Sequence, residues 1–246
     1  MTAHPLIGSP CGDLVAIESG RFAFVPNKLP RRLELNPSLV YRLDQATRAV
    51  ATLAGVGETI PNPHLLTRPF IRREVVLSSR IEGTQASLSD LFLYEASATG
   101  RPKWDVIEVV NYVRALEHGL ERLNELPICV RLIDEIHGIL LHGVRGSGIR
   151  IGEIRNNQVW IGPGGTPIEE ANYGPPPAPL IRDLLQDLEA FVNFDSKLPP
   201  LVQCALMHYQ FEAIHPYIDV NGLIGRLLIV LFLCAKGILP QPLLYL

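Results

Sequence analysis

From about residue 38 onward, apolar side chains recur every three or four positions, the period of a helix with one buried face. The spacing predicts helices over 38–57 (Leu39, Leu43, Ala46, Val50 and Leu53 on one face), 70–82 (Val75, Val76, Leu77, Ile81) and 84–95. It predicts three more over 105–125 (Val106, Val109, Val113, Leu116), 131–142 (Leu132, Ile133, Ile136, Leu140) and 180–194 (Leu184, Leu185, Leu188, Phe191). Two further stretches, 201–214 and 223–236, are apolar on nearly every side, which places them at the buried centre. Gln158–Ile161 reads as a short strand entering the turn Gly162-Pro163-Gly164-Gly165, and Phe22–Pro26 as a short extended arm. Pro61–Pro63 reads as a linker, and Pro175–Pro177 as a stiff connector. The fold class expected is mainly α: a helical bundle around two central buried helices, with a small β-hairpin at 158–165.

Composition narrows this reading. With 47% hydrophobic and 19% charged residues in 246, the chain is large enough for one core-rich domain, alone or with a small N-terminal lobe. A net charge of −3 provides no basic face for nucleic acid. Cys11, Cys129, Cys204 and Cys234 have no paired spacing, so neither a disulfide framework nor a zinc site is expected. The longest apolar run, Leu227–Ala235, is far short of the ~20 residues that span a bilayer, and no signal segment is legible. A cytoplasmic protein with no membrane partner is expected.

Candidate chemistry gathers between the two central helices. Pro216 cannot continue a helix and disfavours helical geometry at His215 before it. Asp219 and Asn221-Gly222 supply turn and capping chemistry, and Arg226 follows about one turn into the next helix. Free N–H groups at such a helix start attract anions. A second oddity is Glu82, in the last turn of the helix over 70–82. A carboxylate there faces the negative end of the helix dipole, at a cost of about 0.3–1 kcal/mol, and calls for a cationic partner. Ser78 shares its face at i, i+4. Gly83 fits a C-cap.

The order of residues in His215-Pro216-Tyr217-Ile218-Asp219-Val220-Asn221-Gly222-Leu223-Ile224-Gly225-Arg226 resembles the Fic signature, H-P-F-x-D/E-G-N-G-R-x-x-R. The Fic/DOC family mostly transfers AMP from ATP to a hydroxyl of a target protein. The resemblance runs through nearly the whole chain. It implies an N-terminal Fic-associated region over 1–97 and a Fic domain over 98–246. It implies His215 as general base, Asp219 as ligand of a Mg²⁺ ion, and nucleotide contacts at Asn221, Gly222, Gly225 and Arg226. Ser78-Ser79-Arg80-Ile81-Glu82-Gly83 resembles the family's inhibitory motif, S/T-x-x-x-E-G/N, in which Ser78, Glu82 and Gly83 would hold Arg226 away from the ATP γ-phosphate. Gly152–Arg155 followed by Val159, Trp160, Ile161 and Gly162 resembles the flap that pairs with the target backbone by strand addition. The partners implied are ATP and a hydroxyl-bearing protein, the chain itself among the candidates, with homodimerisation allowed for.

Two positions depart from the signature. Val220 stands where the family has Gly at a position that favours positive φ, and Leu223 stands where it has an Arg. Forcing a β-branched residue into that conformation costs about 1–3 kcal/mol, and a lost charge-assisted hydrogen bond about 1.5–3 kcal/mol. A rate lower by ~10²–10⁴ follows. Two functions are therefore expected of this sequence: an adenylyltransferase held off by Glu82, or a catalytically impaired Fic fold that binds nucleotide or a partner.

Overall fold

The computed structural model describes residues 6–17, 20–59, 63–96, 104–144, 151–162, 171–194 and 196–244, with the side chains of 63–68 and 70 set aside. Among them, eight helices and one two-stranded sheet appear: β1 (Gly12–Ile17), β2 (Arg21–Pro26), α1 (Pro37–Glu58), α2 (Pro63–Ile81), α3 (Leu88–Ala96), α4 (Trp104–Arg122), α5 (Val130–Leu140), α6 (Ile181–Asn193), α7 (Pro200–Ile214) and α8 (Asn221–Ala235). The fold is mainly α, as expected. None of these helices is long and apolar enough to cross a membrane.

α7 and α8 are the centre. Arg226 is the one charged residue of α8, and Ile224, Leu227, Leu231 and Phe232 on it are fully enclosed together with Met207, Phe211 and Ile214 of α7. Burying side chains of this size contributes about 1.5–3 kcal/mol each, which outweighs any preference of the helix surface for water. α4 crosses α8 closely because Gly119 has no side chain: a Cβ there would sit 2.8 Å from Leu231 Cδ1. α5 and α6 cover the far sides with their own apolar faces, and α2 lies on α4 and α8.

Four expectations are corrected. The predicted stripe of α1 is only half used: Val50 and Leu53 pack on the core, but Leu39 is 43% exposed and Ala46 lies open. Only the C-terminal turns of α1 dock, where Gly57 lets Leu243 approach. The regular hairpin of the molecule is β1–β2, antiparallel with Leu14 opposite Phe24, so the extended arm at Phe22–Pro26 is a strand whose partner the sequence reading overlooked. Its signal was the apolar run Leu14-Val15-Ala16-Ile17, bounded by Gly12 and Gly20. The segment Gln158–Gly162 forms a single bridge, Ile161 to Tyr173, rather than a ladder, and the expected turn at 163–165 lies outside the described residues. Finally, α2 begins at Pro63, inside the expected linker, because Pro is tolerated in a helix's first turn.

Candidate active site

Pro216 ends α7, and His215 turns the chain with left-handed backbone angles, φ 49° and ψ 62°. A helix end leaves carbonyls without partners. Here the segment carrying the predicted flap supplies them. The Tyr173 hydroxyl donates to the Ala213 carbonyl (2.7 Å), Arg155 Nε to that of His215 (2.8 Å), and the Arg155 N–H to that of Pro216 (2.9 Å). Tyr173 also carries the bridge to Ile161. The base of the predicted flap and the signature loop are thus one hydrogen-bonded unit.

The loop itself is tied from inside. The Asn221 side chain is buried, accepting from the Tyr217 N–H (3.0 Å) and donating to the Tyr217 carbonyl (2.9 Å). Its amide is spent on holding the turn, so any contact it makes with a ligand comes from its backbone. Tyr217 is fully buried, stacked on His137 at 4.0 Å, and its hydroxyl donates to Asp134 (2.6 Å). A Phe at this position would lack that last bond. Val220 is the N-cap of α8 at φ 57°, the left-handed conformation the sequence reading assigned to the family's Gly. It makes no side-chain cap hydrogen bond to the start of α8. Asp219 is exposed, one carboxylate oxygen accepting from the Val220 N–H (2.8 Å). Among the described residues no three His, Cys, Asp or Glu side chains gather into a metal-holding group.

The start of α8 is met by the turn after α2. Glu82 places its carboxylate on Arg226 Nη2 at 2.6 Å and against Gly222, where any Cβ would collide with it. Arg226 Nε donates to the buried Ser78 hydroxyl (2.5 Å), and Nη2 also reaches the Ser78 carbonyl (3.2 Å). Behind them the Tyr112 hydroxyl of α4 bonds to Ser78. Gly83, at φ 96°, closes the α2 turn with its N–H on the Arg80 carbonyl (3.0 Å), and this turn aims Glu82 at α8. The anion-attracting end of α8 therefore holds a carboxylate from the chain itself.

Further along α8, Gly225 leaves room for the Glu212 carboxyl of α7. Burial raises that carboxyl to about 7; Arg226 opposes the shift and Glu82 adds to it. His215 is pushed down to about 4, first by burial and then by the Arg155 guanidinium, so its imidazole is neutral near pH 7. Its Nδ1 is enclosed with no partner of good hydrogen-bond geometry among the described residues, and the nearby Glu212 carbonyl opposes the shift only weakly.

The predicted residues fall into two groups. His215, Asp219, Asn221, Gly222, Gly225, Arg226, Ser78, Glu82 and Gly83 surround the start of α8. Val159, Trp160, Ile161 and Gly162, the predicted flap residues, are joined to the first group through Tyr173 and Arg155. Trp160 is half-buried against Gly174 and under the Arg21 guanidinium of β2 (4.9 Å). Sequence reasoning gave Tyr173 and Glu212 no site role, and Arg155 only a place in the flap resemblance. A buried Arg shows no periodic signal, and the positions of Arg155 and Tyr173 mattered only once Pro216 had exposed the α7 carbonyls.

Comparison with known proteins bears on the family and the fold. The chain is 34% identical over 141 residues to the protein adenylyltransferase Fic of Drosophila willistoni, covering 54% of this chain and 26% of that protein. It is 36% identical over 141 residues to the protein of the same name in Drosophila yakuba, again 54% and 26%. The chain thus spans about a quarter of the length of these relatives. The fold matches that of a Fic family protein from Desulfovibrio desulfuricans G20 (TM-score 0.64, 23% identity, 82% of this chain and 59% of that one). It also matches Fic-1 from C. elegans (TM-score 0.60, 22% identity, 82% and 60%). The Fic/DOC family N-terminal region matches residues 40–121 and the Fic/DOC family itself residues 127–233, together well over half of the sequence. The chain belongs to the Fic/DOC family.

Proposed function

We propose that the chain is a protein adenylyltransferase that transfers AMP from ATP to a Tyr, Ser or Thr hydroxyl of a target protein and is held off by Glu82. One observation carries the reading: the Glu82 carboxylate occupies the anion-attracting start of α8 and takes the Arg226 guanidinium. A site that draws in its own carboxylate suits a phosphate once that carboxylate leaves. On this reading residues 1–97 carry the inhibitory segment and 98–246 the transfer site.

The chemistry follows from the residues. A neutral imidazole is a competent base. With Nδ1 enclosed, His215 takes the acceptor proton at Nε2. The acceptor oxygen bonds to the α-phosphorus, the α–β bridging bond breaks, and pyrophosphate leaves. Backbone N–H groups of Asn221 and Gly222 receive phosphate oxygens, Gly225 keeps α8 open beside them, and Arg226 neutralises the terminal phosphate. Asp219 fits Mg²⁺, which takes one or two carboxylates and fills its remaining positions with phosphates and water; bound there, the ion would supply charge neutralisation at the phosphates. Val159–Gly162 would present the target backbone to His215. ATP use is consistent with a cytoplasmic setting, and the chain's own hydroxyls and a homodimer are the first partners to examine.

A second reading, an impaired Fic fold that binds nucleotide or a partner, is favoured by Val220 and Leu223. Leu223 is packed into the core at 6% exposure, so the family's first signature Arg has no ready counterpart here. The test is label transfer from α-³²P-ATP with Mg²⁺ in wild type, Glu82→Gly, and Glu82→Gly with His215→Ala. Label on Glu82→Gly that vanishes with His215→Ala is expected. Folded protein without label in every variant favours the binding reading. Val220→Gly is then the cleaner rescue, because Leu223→Arg would introduce a charge at a buried position.

A further inference from the structure

His215 occupies the C-terminal end of α7, where the helix dipole favours a cation. A general base there needs something to keep its ring neutral and its turn rigid. Arg155 faces it from the 151–162 segment, at 3% exposure. Its guanidinium meets carbonyl oxygens only: Nε to His215 (2.8 Å), Nη1 to Asn157 (2.8 Å), and Nη2 to Pro176 (2.7 Å) with a longer approach to Ile214 (3.5 Å). It makes no ion pair with a carboxylate among the described residues. Carbonyls solvate the charge without cancelling it, and five donors in a planar fork suit this task as no ammonium would.

We infer that Arg155 is the positioning residue of His215: it fixes the left-handed turn from which the imidazole projects and sets an uncompensated positive charge behind the ring. The inference rests on His215 as the base. Positive φ at a non-glycine residue is strained and persists only where its surroundings over-determine it. Here the His215 N–H is held by the Phe211 carbonyl (3.0 Å), its carbonyl by Arg155 Nε, and the next carbonyl by the Arg155 N–H. Other groups near the ring do not replace this charge. The Glu212 carbonyl opposes it, and no carboxylate side chain is among the causes of the His215 shift. The Glu212 side chain faces Gly225 and Arg226 instead. The Tyr173 phenol, held on the Ala213 carbonyl, is raised by burial and stays neutral. Burial lowers the Arg155 guanidinium to about 10, which leaves it charged at neutral pH.

The experiment uses the full chain carrying Glu82→Gly, alone and with Arg155→Gln or Arg155→Lys. The His215 ring is titrated by NMR and assigned with His215→Ala; kcat and KM for ATP are measured in parallel. Arg155→Gln should raise the His215 midpoint by roughly one pH unit or more, the effect of one nearby charge. Arg155→Lys keeps the charge but loses the fork. It should leave the midpoint low and cut kcat by about tenfold or more, with KM for ATP little changed. An unmoved midpoint in folded Arg155→Gln overturns the inference, as does full kcat in Arg155→Lys. Should Arg155→Gln not fold, the kcat of Arg155→Lys decides. Should no variant transfer AMP, the midpoint decides alone, so failure of the adenylyltransferase reading is separable from failure of this one.

Discussion

Two arginines frame the site and are held in opposite ways. Arg226 pairs with a carboxylate 40% exposed to solvent, on a turn that belongs to another helix. Arg155 is enclosed and bonded to carbonyls of the chain it organises. A rim ion pair of the first kind contributes about 0–1 kcal/mol, because water competes for both partners. A buried guanidinium stripped of its carbonyls would cost several kcal/mol. The first contact can therefore open without unfolding the protein, and the second cannot. On the proposed function, inhibition would sit at the weak contact and geometry at the strong one.

Four experiments sharpen that contrast. The largest effect is expected at His215: in the Glu82→Gly protein, His215→Ala should lower AMP transfer by ~10²–10⁴, the range attached to a lost general base, with the circular-dichroism melt little changed. Asn221→Ala comes next. It leaves the buried N–H and C=O of Tyr217 without partners, a loss of about 2–4 kcal/mol in urea unfolding; a smaller loss would mean that water reaches the loop. Val220→Gly relieves a left-handed valine and should stabilise the fold by about 1 kcal/mol. A lower midpoint on heating would show that the valine's packing outweighs its strain. Smallest is Glu82→Gly itself, with a stability change within about 1 kcal/mol alongside a gain in transfer. A large destabilisation would place Glu82 among the structural contacts and erase the contrast.

pH offers an independent check. Glu212 is raised from 4.5 to about 7 in the fold, so the folded chain holds this proton more tightly than the unfolded one. The stability it contributes is fully present below 4.5 and lost as pH rises through about 7. Glu212→Gln, neutral throughout, should flatten that part of the stability–pH curve. An unchanged curve would mean that the carboxyl is ionised and hydrated.

Much of this arrangement was legible beforehand. The break at His215-Pro216, the turn chemistry of Asp219 to Gly222 and the unfavourable position of Glu82 at its helix end are local facts. Proline geometry, capping and dipoles act over a few residues, and those few residues are in plain view. The stripe of α1 misled because period announces an apolar face without saying that anything will cover it. The hairpin β1–β2 was missed because one of its strands was read as an isolated arm.

By itself the sequence determined that α7 and α8 would be buried, since helices apolar on all sides have nowhere else to go, and that a polar loop would join them. Only the tertiary structure decided that Arg226 meets Glu82 across 144 residues, that Gly222 makes room for that carboxylate, and that Arg155 and Tyr173 satisfy the carbonyls exposed at the end of α7. The physical reason is the range of the forces involved. Backbone preference and periodicity are written residue by residue, whereas the partner of a charge or an orphaned carbonyl depends on which distant segments the packing of the core brings within three ångströms.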